Sequence, residues 1–126
     1  MNKVITIGFL VVGIIHLIPV VGVLGIHKIN DLYGLSIADQ NLAILMRHRA
    51  VMFGLLGSFL CYAAFMKNLQ IIALIAALIS VVSFLLLSLF NPNYNQAIQK
   101  IVSADYLALA ILCVVAVLMF IQVKSI

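Results

Sequence analysis

The sequence predicts an all-α fold, an integral membrane bundle of four transmembrane helices, and three observations carry that reading. Hydrophobic residues make up 67% of the chain and charged residues 8%, where a soluble domain carries about a quarter charged. The mean hydropathy is +1.34. The apolar residues fall into four blocks, each near the ~20 residues that a ~30 Å hydrocarbon slab requires of a helix. The alternating ~10-residue segments of a membrane β-barrel are absent. With 126 residues, the chain is read as a single transmembrane domain, 1–126.

The first span is expected at about 4–24. Lys3 ahead of an apolar run imitates a signal peptide, but the run exceeds the ~7–15 residues of a signal core and no A-x-A-like site ends it. It is read as a retained helix. The segment 25–41 follows as an interfacial loop. Within it, Ile26, Ile29, Leu32 and Leu35 interleave with His27, Lys28, Asn30 and Asp31, a spacing that permits a short helix lying at the membrane surface. Ser36-Ile-Ala-Asp39 has the form of a capping box, with Asp in the place of Glu or Gln, and predicts a second helix starting near Ile37.

The second span is expected at about 42–65 and the third at about 69–90. Met66-Lys67-Asn68 makes a tight turn between them, so they are antiparallel neighbours. Pro92 disfavours helical geometry at Asn91 and ends the third span. The fourth is expected at about 106–123. Lipid gives apolar helices no hydrophobic reason to associate, so small residues and polar contacts must hold them together. In the second span Ala50, Gly54, Gly57, Ser58, Cys61 and Ala64 recur at three- and four-residue steps as one smooth stripe.

Seven Lys and Arg against three acids give a formal net charge of +4. The bases are scattered, so no nucleic-acid partner is expected. Lys3, Lys67 and Lys124 fall on one side. Lys28, Arg47, Arg49, Lys100 and all three acids fall on the other. With Arg47 and Arg49 occupied inside the protein, the remaining count slightly favours cytoplasmic termini.

The polar residues near the spans are the candidate site. Extending the small-residue stripe backwards reaches Arg47, which predicts that Arg47 faces the bundle and Arg49, in line with Phe53, Leu56 and Leu60, anchors at the lipid edge. Snorkelling of both is the alternative. Asp105, 19 residues before Lys124, sits at the depth of Arg47 and is its expected partner; otherwise it stabilises a helix N-terminus through the macrodipole. His48, Tyr33 and Tyr106 belong to the same end, where aromatic belts account for many tyrosines. His16 stands alone inside the first span, and an ionisable residue there normally faces the bundle. Pro19 leaves the carbonyl of Ile15 without its amide partner, a natural acceptor for His16. With Gly13, Pro19 marks a helix hinge, and interrupted helices with polar groups are how transporters build sites.

Cys61 and Cys113 differ by about 9 Å in depth, too far for a disulfide. No metal is expected: His27, His48 and Asp31 are the best set, and no ligand spacing supports one. No phosphate loop and no nucleophile–base–acid set is visible. The expectation is therefore no cofactor and no enzyme activity.

Gly13-x-x-His16, Leu32-Tyr-Gly34, Met46-Arg-His-Arg-Ala50 and Ser103-Ala-Asp-Tyr106 form a layout that resembles small, uncharacterised bacterial four-helix inner-membrane proteins, DoxX-like in size and arrangement. The resemblance implies a multi-pass protein of the bacterial inner membrane and supplies no catalytic residue. Two functions are expected from different classes. One is a non-enzymatic protein that supports the cell-envelope barrier, binding a lipid, a small amphiphile or a membrane partner protein at its outer end. The other is a small-molecule or ion transporter working as a homo-oligomer; the lack of a mid-span carboxylate counts against drug–proton antiport. A quinone-linked redox subunit is suggested only by the layout.

Overall fold

The computed structural model describes residues 1–126. The chain is helical throughout: α1 (Asn2–Leu17), α2 (Ile26–Tyr33), α3 (Gln40–Ala63), α4 (Gln70–Phe90) and α5 (Gln96–Lys124), with 3₁₀ turns at Ile18–Leu24 and Lys67–Leu69. Four stretches are long and apolar enough to cross a membrane: Asn2–Leu24, Gln40–Ala63, Lys67–Phe90 and Gln96–Lys124. That number and order match the four blocks of the sequence and fit a multi-pass membrane protein. The interfacial segment holds the expected short helix, α2, which stops where Gly34 turns left-handed at φ 62°.

Two helix starts differ from expectation. α3 begins at Gln40, not near Ile37, and its cap is Asp39, whose carboxylate accepts from the Asn41 amide at 2.9 Å. The Ile37 amide is already taken by the Asn30 side chain at 3.0 Å, so Ser36–Asp39 is tied back to α2 and stays outside α3. α5 begins at Gln96, ten residues ahead of the apolar block, with the Asn95 side chain accepting from Ile98 at 2.8 Å. Apolarity locates what can cross lipid, not where the helix starts. At 29 residues, α5 is about 43 Å long and exceeds the ~30 Å of a hydrocarbon slab.

α1 lies against α3 and α5, and α4 against α5 and α3, so α1 and α4 face each other diagonally. The α1–α3 crossing is closest. A Cβ on Gly57 would stand 2.8 Å from the Gly13 carbonyl oxygen, and one on Gly13 would stand 2.6 Å from Cys61 Sγ. The small-residue stripe of α3 therefore serves close backbone approach to α1. Ile5, Phe9, Val12, Leu60, Val81, Leu112 and Val115 form the buried centre. Ile7, Ile14, Ile72, Ile79, Leu107, Val114 and Phe120 point outward and exposed, a surface that hydrocarbon can solvate. Both cysteines are free.

The bundle has two distinct ends. At one, Thr6 donates to the Ala64 carbonyl at 3.1 Å and Gln70 to the same oxygen at 3.3 Å. Asn2 meets Gln122 there, so both chain termini share this end. At the other, Asn95 Nδ2 donates to the carbonyls of Tyr33 (2.8 Å) and Gly34 (3.1 Å). One side chain thus caps α5 and holds the end of α2 against it.

Candidate functional site

At the α2 end the helices part around a cavity of about 520 Å³, within the ~300–1,000 Å³ range of small-molecule sites. Its walls grade from wet to dry. Asp31, Gln96 and Lys100 stand exposed at the mouth. Tyr33, Arg49 and Asp105 occupy the middle, and Ile15, His16, Phe53 and Phe84 close the deep part. The α5 contribution repeats helically at Gln96, Ala97, Lys100, Ile101, Ala104 and Asp105, one face of about two and a half turns.

Arg49 is the centre of this arrangement. Its Nη1 donates to the Tyr33 hydroxyl at 2.7 Å. Its guanidinium carbon lies over the rings of Phe53 (4.7 Å to the centroid), Tyr33 (5.4 Å) and Phe84 (5.9 Å). Three rings within about 6 Å of a cation form a cation–π enclosure. Five N–H groups belong to a guanidinium, and the protein accepts from one of its terminal nitrogens only. Tyr33 is 6% exposed, and burial raises its phenol above the ordinary value, an effect that the neighbouring Arg49 charge and hydrogen bond oppose.

The pairing of Arg47 with Asp105 is overturned. Arg47 does continue the small-residue stripe, but that stripe faces α1. There Arg47 donates Nε (3.2 Å) and Nη2 (2.9 Å) to the carbonyl of Val23, capping the last turn of the 3₁₀ stretch. Two residues on, a helix has turned about 200°, so Arg49 points to the far side of α3, towards the cavity that Asp105 shares. Arg47 stays on the α1 side, as the stripe predicts, but it is Arg49 and not Arg47 that reaches the cavity. Large side chains misled the reading: Leu60, on the supposed lipid face, is fully buried. No acid oxygen of the protein lies within 4.0 Å of a basic nitrogen, so Arg49 and Asp105 face one space without touching.

Asp105 is also no helix-terminal residue, since α5 runs from Gln96 and places it two and a half turns inside. His16 is 3% exposed. Its Nδ1 meets the Val12 carbonyl at 2.9 Å rather than that of Ile15, and its Nε2 meets Ser80 Oγ on α4 at 3.2 Å. A carbonyl only accepts, so Nδ1 carries the proton, and in the neutral imidazole Nε2 then accepts from the serine hydroxyl. This bond spans the bundle diagonal. Pro19 lies near the start of the 3₁₀ stretch and lines the cavity, while α1 runs unbroken through Gly13, which packs against Gly57 and Cys61 at the α3 crossing. His48 and Tyr106 are exposed and lie outside the cavity.

Sequence reasoning missed Phe53, Phe84, Gln96, Lys100 and Ser80 as site-forming residues. The face of α5 was legible once its helix is started at Gln96. No group of three or more His, Cys, Asp or Glu gathers in the molecule, so His27, His48 and Asp31 do not form a set. Comparisons with protein-family models, with curated proteins and with solved structures return no match for this chain.

Proposed function

We propose that this protein is a non-enzymatic component of a bacterial inner membrane that supports the envelope barrier by holding a small amphiphile in the cavity at its α2 end. One observation carries the reading: two cations and two carboxylates, Arg49, Lys100, Asp31 and Asp105, line one cavity whose deep part is apolar, and no acid touches a base. Groups so placed are ready for a ligand with both donors and acceptors on its head and an apolar body towards Phe53 and Phe84. The charges balance, so a neutral or zwitterionic head suits this space. No nucleophile stands beside a base there, which favours binding over catalysis.

A strain lacking the protein tests the proposal through its sensitivity to compounds that an intact membrane excludes. Wild-type protein and Arg47→Gln should restore the barrier, because Arg47 lies outside the cavity. Arg49→Gln and the cavity-filling Ala104→Phe should not. Full restoration by both of the latter, at normal protein levels, removes the proposed site.

A second reading, transport, draws on one feature. The first membrane-length stretch changes from α to 3₁₀ geometry at Ile18–Leu24, and His16 and Pro19 at that change line the cavity. Broken helices at polar sites are a transporter device. Solute-dependent proton release from liposomes holding the protein, lost in His16→Ala, would establish it; unchanged flux in His16→Ala removes it.

A further inference from the structure

A second recess, about 610 Å³, lies between α3 and α4. Arg49, Met52, Phe53 and Leu56 line it from α3, and Ala76 to Leu87 line it from α4. It shares Arg49, Phe53 and Phe84 with the first cavity, so those three side chains form the partition between the two spaces. Along α4 it extends from Leu87 to Ala76, 11 residues or about 16 Å. That is half of a ~30 Å hydrocarbon slab, the depth of one leaflet. Its α4 wall is kept low by Ala76, Ser80 and Ser83.

Charge is confined to one end of this recess. Arg49 is its only charged residue, and Asp31, Lys100 and Asp105 line the first cavity alone. The Phe53 and Phe84 rings sit against the guanidinium, and only Tyr33 accepts from it. Its remaining N–H groups are therefore available to two oxygens of an anion, the fork geometry that arginine offers to phosphate. Arg49 is two residues, about 3 Å, deeper than Arg47, a depth a long side chain covers by snorkelling.

We infer that the α3–α4 recess is a binding site for an anionic phospholipid, with one acyl chain laid along Ala76, Ser80 and Ser83 and the phosphate on Arg49. The inference rests on the reading of the four apolar stretches as membrane spans, and it deepens the amphiphile proposal by assigning Arg49 a lipid on its α4 side. The phospholipid comes from the surrounding leaflet and needs no passage through the protein.

The test uses the full-length protein purified in detergent, with phosphatidylglycerol and phosphatidylcholine of identical chains as probes, and lipid adducts read by native mass spectrometry. Wild type should retain phosphatidylglycerol about tenfold more tightly than phosphatidylcholine, equivalent to about 1.4 kcal/mol. Arg49→Gln should abolish that preference. The double variant Ala76→Leu/Ser83→Leu fills the recess from the outer face of α4 and should reduce retention of both lipids about tenfold. Ala104→Phe fills the first cavity and should leave the preference for phosphatidylglycerol unchanged, which separates this site from the amphiphile site. Equal retention of the two lipids by wild type overturns the inference. So does undiminished retention in the folded double variant, or loss of the phosphatidylglycerol preference in Ala104→Phe alone. Circular dichroism and size exclusion establish that each variant is folded.

Discussion

The Tyr33 hydroxyl accepts a 2.7 Å hydrogen bond from Arg49, and this single contact ties α2 to α3 at the middle of the cavity. Arg49 needs an acceptor there because no carboxylate reaches it, and Tyr33 needs a partner because it is buried. Each side chain satisfies the other while leaving most of the guanidinium free.

That burial has a titration consequence. The Tyr33 phenol lies above its ordinary value of 10.0 because burial penalises the phenolate more than Arg49 favours it. The unfolded chain therefore loses this proton first as the solution becomes alkaline. Stability linked to it is complete below about pH 10 and is lost as pH rises through the folded value. Absorbance titration of the four tyrosines should contain one late step that Tyr33→Phe removes.

The diagonal bond from His16 to Ser80 should be visible in stability. Ser80→Ala leaves a buried imidazole nitrogen without its donor, at a cost of about 1–3 kcal/mol. Ser83→Ala loses only a bond to its own helix, from an exposed hydroxyl to the Ser80 carbonyl, and should change stability by less than about 0.5 kcal/mol. Thermal unfolding of the two variants in the same detergent measures the difference.

The number of membrane-length helices and the tight turn at Lys67 were legible from hydropathy and turn chemistry, because lipid imposes length and composition on anything that crosses it. The site was less legible, for physical reasons that Arg47 and Arg49 show. Small residues mark where helices touch closely, and following them led to α1 and to Arg47. A cavity is the opposite of close contact, and its walls are large side chains: Phe53, which reads as lipid-facing, and Phe84, which nothing in the sequence singles out. The polar start of α5 escaped for a related reason: Gln96 and Lys100 lie where no apolarity is required, so the stripe ending in Asp105 fell outside the expected helix.

The α1–α3 crossing predicts a steep steric penalty. In Gly57→Val the new Cβ would stand 2.8 Å from both the Gly13 oxygen and Leu17 Cγ, and backbone must move. A loss of about 1–3 kcal/mol is expected. Gly54→Ala meets only a Val20 methyl at 3.2 Å, which a small side-chain shift relieves, so its loss should be smaller. Comparing their melting temperatures checks the order.

Asn95 predicts a linked effect at two helix ends. Asn95→Ala removes the cap of α5 at Ile98 and both bonds to the end of α2, for a loss of about 1–2 kcal/mol. The segment between α2 and α3 should then be cut faster by protease, and Asn95→Asp, which keeps the cap but cannot donate, should show the cutting without the full loss of stability.

The meeting of Gly13 and Gly57 also bears on where a guest enters. No side chain can stand between α1 and α3 there, whereas at the α2 end Asp31, Gln96 and Lys100 frame an open mouth, so a guest's way in lies at that mouth and not along the α1–α3 seam.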